Sequence, residues 1–99
     1  METKEDLLLF LRTNKAELTR RFDLVKIGVF GSFADDTQSE SSDIDLIVEF
    51  KPNTSNLSEK KSGLRKFIKE TFNREVDICR EKYLKPYFRN LITNSAIYV

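Results

Sequence analysis

The chain has 99 residues, with 17 Lys/Arg against 16 Asp/Glu, a single Cys and no His. That length fits one domain over residues 1–99, and the lone Cys79 rules out an intramolecular disulfide. The absence of His excludes Ser-His-Asp and Cys-His catalysis within the chain and removes the commonest zinc ligand.

Residues 2–21 read as a helix, because Leu7, Leu8, Leu11 and Leu18 recur near helical spacing and Thr3 with Asp6 forms a capping-box pattern. Val25, Ile27 and Val29 alternate with Lys26, Gly28 and Phe30, which predicts a strand ended by Gly31-Ser32. The polar stretch Asp35–Ser42 is a loop with room for one helical turn before it. A second strand runs from Asp43 to Phe50, with Ile44, Leu46, Val48 and Phe50 on one face and Asp43, Asp45, Ile47 and Glu49 on the other. Pro52-Asn53 opens a turn, and Leu57–Phe72 is an amphipathic helix. Glu75–Arg80 is a third strand, Pro86 starts a last helix through Ile92, and Ala96–Val99 is apolar enough for a short final strand. The order α-β-β-α-β-α predicts an α/β (α+β) fold, a small mixed sheet packed by helices.

The near-zero total charge hides an uneven distribution. Residues 1–50 carry 6 basic against 11 acidic side chains, and residues 51–99 carry 11 against 5. An acidic half suits cations, while a basic half suits a polyanion or an acidic partner. The neutral total and the lack of a basic–aromatic run argue against direct nucleic-acid binding. No apolar run approaches membrane-spanning length, so neither membrane nor secretory routing is expected, and a reducing cytoplasm is the expected compartment.

Three carboxylates occupy strand positions where packing gains little from them. Asp43 and Asp45 are two apart, so both leave one face; Asp77 lies on another strand between Val76 and Ile78, which point the opposite way. If those strands are neighbours, the three converge, and such like charges repel unless a cation sits among them. An all-oxygen donor set favours Mg²⁺ or Mn²⁺. Gly31-Ser32 at a strand exit adds a place where backbone amides and a hydroxyl can meet phosphate oxygens. A phosphate cradle followed by metal-binding carboxylates is the arrangement for two-metal nucleotidyl transfer, which needs no His.

Gly31-Ser32, ten intervening residues, then Asp43-Ile44-Asp45 resembles the G-S-x(10)-D-x-D pattern of the polymerase-beta-like nucleotidyltransferases. The phrases Val29–Ala34 and Ser42–Phe50, the Val76-Asp77-Ile78 triplet and the ending Ala96–Val99 are similar to the minimal nucleotidyltransferases, or MNT proteins. That resemblance implies transfer of AMP from ATP to a tyrosine hydroxyl of a HEPN-domain ribonuclease toxin, with the MNT protein as its antitoxin in a hetero-oligomer. It also implies that Asp43 and Asp45 bind two Mg²⁺ ions, that Asp77 completes the metal site and helps activate the acceptor, and that Gly31 and Ser32 hold the nucleotide.

Family members often carry Arg-Gly where this chain has Asp35-Asp36, which removes attraction for a triphosphate and adds repulsion. The alternatives are therefore an antitoxin that acts by binding alone, with a weakened catalytic site, or a transferase acting on a small molecule. Lys60, Lys61, Arg65 and Lys69 line one helix flank and read as a solvated face. Tyr83, Tyr87 and Tyr98 read as packing residues, and Cys79 as a half-buried thiol.

Overall fold

The structure is a computed structural model and describes residues 3–99. Helices α1 (Lys4–Thr13) and α2 (Lys15–Phe22) lead into strands β1 (Leu24–Phe30) and β2 (Ile44–Phe50). Helix α3 (Leu57–Phe72), strand β3 (Val76–Arg80), a single 3₁₀ turn (Glu81–Tyr83), helix α4 (Pro86–Ser95) and strand β4 (Ile97–Tyr98) follow. The sheet order is β3-β2-β1-β4, with β1 antiparallel to both β2 and β4, and β2 parallel to β3.

The one long N-terminal helix expected from leucine spacing is two helices. Asn14 breaks it: its side-chain amide donates to the Phe10 carbonyl at 2.8 Å, and its backbone leaves helical geometry at φ −101°, ψ 8°. A short amide side chain competes with the backbone in this way, which leucine periodicity does not register. The Thr3–Asp6 capping box is present in both directions, whereas the expected start at Glu2 lies outside the described residues.

Burial follows the expected alternation in β2 and β3 but not throughout β1, where an irregularity in register between Leu24 and Lys26 leaves Val25 57% exposed and Leu24 buried. Ile44, Leu46, Val48 and Phe50 of β2, with Ile27 and Val29 of β1 and Val76 and Ile78 of β3, are buried in one cluster with Leu7, Leu11, Leu18 and Phe22 of the first two helices and Leu64 and Ile68 of α3. Helices α1 to α3 thus supply one hydrophobic layer against one sheet face, and the opposite face is left for Asp45, Asp77, Glu49 and Lys26. Ile47 shares that opposite face yet is fully buried. Gly28 makes this possible: a Cβ there would stand 2.8 Å from Tyr98 Cδ1 and 3.2 Å from Ile47 Cγ2. The bare glycine lets Tyr98 close over the strand.

Candidate active site

Because β1 runs antiparallel to β2 while β3 runs parallel to it, the end of β1 and the beginnings of β2 and β3 meet at one edge of the sheet. Asp45 is the centre of that edge. It pairs in register with Phe30 on one side and with Asp77 on the other. Adjacent strands stand about 4.8 Å apart, so side-chain rotation alone lets Asp45 and Asp77 share an ion. Asp43, two residues earlier, lies about 7 Å away along the strand direction.

Gly31 follows Phe30 with φ +73°, a conformation side chains rarely adopt, and any Cβ there would overlap the Asp45 Oδ2 atom. After Gly31 the chain coils once: the Asp35 amide donates to the Gly31 carbonyl at 3.2 Å and the Thr37 amide to the Ser32 carbonyl at 2.9 Å. The Gly31-Ser32 backbone therefore rests directly against a carboxylate of the acidic edge, and both residues of the turn are half-buried.

Asp45 is half-buried while Asp43 and Asp77 are exposed. Burial raises the Asp45 pKa above the ordinary aspartate range, and the charges of Asp77 and then Asp43 push it further in the same direction. All three causes penalise the ionised form, so a divalent cation at this edge relieves each of them. The oxygen-only donors suit Mg²⁺. Among the described residues, no three His, Cys, Asp or Glu side chains are already drawn together as a closed metal cage. The carboxylates share an open edge instead.

The other residues singled out from sequence fall elsewhere. Helix α3 covers the far side of the sheet; Lys60 pairs with Asp23 at 2.5 Å and Lys69 with Glu75 at 2.8 Å. Tyr98 packs as expected, but Tyr83, in the 3₁₀ turn, and Tyr87, in α4, are 70% and 73% exposed. Cys79 is half-buried, and burial followed by the nearby Asp77 charge raises its pKa, so it is not a poised thiolate. Asp36 adopts φ 59° and forms an ion pair with Lys4 at 3.0 Å, which places an acid in a backbone conformation typical of glycine and engages its charge.

Two features escaped the sequence reading. Arg74 is buried beside the loop between Ser32 and Asp43. At the opposite end of the acidic face, Arg80 donates to Glu49 through Nε at 3.1 Å and Nη2 at 2.7 Å, and the Lys82 amide also donates to Glu49 at 3.1 Å. A cleft of about 420 Å³ opens there between Val25, Lys26, Glu49, Glu81, Lys82 and Arg89, away from the Gly31–Asp45 edge. Charged residues on short strands read as solvated unless their cross-strand partners are known.

Burial alone would raise the Glu49 pKa, but the Arg80 guanidinium and the Phe50 and Lys82 amides outweigh it and hold it below the ordinary range. A carboxylate lowered in the folded state adds stability above its unfolded pKa, lost as pH falls through the folded value. Glu49→Gln is therefore expected to lower the melting temperature at neutral pH and to leave a shallower loss of stability below about pH 4. Thermal melts of both proteins across that range check this; parallel curves would contradict it.

A mixed sheet with a Gly-Ser turn at the exit of one strand and aspartates on the next two defines a nucleotidyltransferase fold. The chain belongs to the Nucleotidyltransferase domain family, which it matches over residues 11–99. It is 31% identical to the protein adenylyltransferase MntA of Thermococcus cleftensis, over all of this chain and 98% of that protein. It is also 31% identical, over the full length of both, to a Methanocaldococcus jannaschii protein named as a candidate protein adenylyltransferase. A solved structure described as a candidate minimal nucleotidyltransferase superposes with a TM-score of 0.79 at 29% identity, covering 97% of this chain and 95% of that one. A toxin–antitoxin structure with AMP-PNP shares the fold at a TM-score of 0.68 and 20% identity, over 87% of this chain and 69% of its own. Among the described residues, no helix is long and apolar enough to cross a membrane.

Proposed function

We propose that this chain is a Mg²⁺-dependent protein adenylyltransferase that moves AMP from ATP to a hydroxyl of a partner protein. The reading goes further and takes that hydroxyl to be a tyrosine of a HEPN ribonuclease toxin, which this chain silences as antitoxin. The observation that carries it is Asp45, packed against Gly31 and in register with Asp77 on the neighbouring strand. Membership of the family and relatives named as protein adenylyltransferases support the reaction class. The toxin–antitoxin structure of the same fold and the resemblance to MNT antitoxins support the partner class.

In this reading the backbone and hydroxyl of Gly31-Ser32 hold the triphosphate, Asp43 and Asp45 hold two divalent ions, and Asp77 completes the site. Bound Mg²⁺ would supply Lewis-acid stabilisation of the triphosphate and of the attacking oxygen. The acceptor oxygen bonds to the α-phosphorus, the bond from that phosphorus to the bridging oxygen breaks, and pyrophosphate leaves with the electron pair. The hydroxyl proton passes to Asp77, whose exposed carboxylate a large protein acceptor can reach.

Co-expression with the product of the adjacent gene, followed by intact-mass spectrometry of that partner, tests the reading. A mass increase of one or more AMP units is expected, absent when Asp43 and Asp45 are both replaced by Asn. A partner that binds this chain tightly, stays unmodified and is still neutralised would favour the binding-only antitoxin, for which Asp35-Asp36 is the motivating feature.

A further inference from the structure

The loop from Thr37 to Asp43 joins the Gly31-Ser32 turn to the first aspartate, yet it places no side chain in the hydrophobic core. Its own hydrogen bonds are short-range and exposed: the Ser39 amide donates to Ser42 Oγ at 2.8 Å, and the Ser39 and Ser41 hydroxyls meet at 3.2 Å. Such a segment has little of its own to hold it in one conformation. Arg74 supplies what is missing. Only 9% exposed, it donates through Nη1 to the carbonyls of Ser39 at 2.9 Å, Glu40 at 3.3 Å and Ser42 at 2.8 Å. Its guanidinium also lies 5.1 Å from the centroid of the Phe33 ring, which is fully buried directly after Gly31-Ser32.

One cation thus touches both halves of the site. It lies over the ring of Phe33, the residue that follows the turn that would cradle phosphate, and gathers the carbonyls that lead into Asp43. The next residue adds a main-chain grip, since the Ile44 amide donates to the Glu75 carbonyl at 2.9 Å. Converging carbonyls present a negative concavity, and a planar guanidinium can fill it while stacking on an aromatic face; an ammonium cannot do both.

We infer that Arg74 is a positioning residue that sets the separation of the Gly31-Ser32 turn from Asp43, and through it the affinity for metal-bound nucleotide. This rests on the nucleotidyltransferase reading above. Arg74 is buried, and the role argued for it is exerted through the loop carbonyls and the Phe33 ring it meets.

The test compares wild type, Arg74→Lys and Arg74→Gln by calorimetric titration with AMP-PNP at several Mg²⁺ concentrations, beside hydrogen exchange of residues 37–43 without ligand. Arg74→Lys keeps the buried cation and is expected to fold, so it carries the comparison even where Arg74→Gln unfolds. Its AMP-PNP affinity should fall about tenfold, the scale on which supporting residues act on metal sites. Raising Mg²⁺ should recover part of that loss, and exchange should quicken in residues 37–43 but not in β1 or β2. A merely structural role would lower the melting temperature without shifting the Mg²⁺ requirement. Equal affinity and equal Mg²⁺ dependence in wild type and Arg74→Lys would overturn the positioning role alone. Failure of wild type to bind AMP-PNP at any Mg²⁺ concentration would overturn the nucleotidyltransferase reading, and this role with it.

Discussion

Replacing Asp45 by Asn is expected to abolish AMP transfer while making the ligand-free protein harder to melt. Most substitutions in a folded protein destabilise it. Here the wild-type carboxylate is disfavoured in its ionised form by burial, then by Asp77, then by Asp43. A group whose pKa is raised on folding costs stability when ionised at neutral pH, and a neutral isostere removes that cost. Solvent at the half-exposed edge limits the gain to about half a kcal/mol, or roughly 2–4 °C for a domain of this size. Transfer should fall by at least about 10³-fold, since a charge contact made at the reacting centre is worth about 4 kcal/mol. Melting curves without metal, together with partner labelling from ATP, check both halves. An Asp45→Asn protein that melts below wild type would show that the carboxylate serves the fold rather than the chemistry.

Gly31→Ala should be nearly as damaging to activity, for a geometric reason. At φ +73° an L-residue pays about 1–2 kcal/mol of backbone strain. The added methyl would also overlap Asp45 Oδ2 and sit 3.2 Å from Asp45 Cγ. Either the turn or the carboxylate must move, and a displacement near 1 Å at a reacting centre can cost about 10²-fold in rate. The variant is expected to fold with reduced stability and to lose AMP-PNP affinity and transfer together. Unchanged transfer in a folded Gly31→Ala protein would place the nucleotide elsewhere.

Much of this edge was legible before the structure. The alternation in Ile44–Phe50 places Asp45 opposite Leu46, and burial follows it. The Gly31-Ser32 and Asp43-x-Asp45 spacing points to this edge because glycine conformation and strand periodicity are local properties. The Asp45–Asp77 register is not local: it depends on β3 returning parallel to β2 after the α3 crossover. Ile47 illustrates the same limit, since its place on the acidic face was readable but its burial depends on Tyr98 arriving from the end of the chain. Arg74 was hidden most completely. In sequence it is one more charge in the polar turn Asn73–Glu75, and the loop carbonyls it meets lie more than 30 residues earlier in the chain.

The Asn14 break and the exposed Tyr83 and Tyr87 have a different origin. Leucine spacing reports which side of a helix is apolar but not whether a side-chain amide interrupts it. Aromatic residues read as core unless the helix that carries them fails to dock. Tyr87, Phe88 and Leu91 of α4 are all more than half exposed, as is Tyr83 in the 3₁₀ turn before it, while Ile92 is the half-buried apolar residue of that helix.

The most direct measurement is a titration of the protein with Mn²⁺, followed by electron paramagnetic resonance, with and without AMP-PNP. Two ions should bind per chain when the nucleotide is present, and the Asp43→Asn/Asp45→Asn protein should bind neither at the same concentrations. Equal Mn²⁺ uptake by wild type and that double variant would show that these aspartates do not hold the metal and would contradict the account at its base.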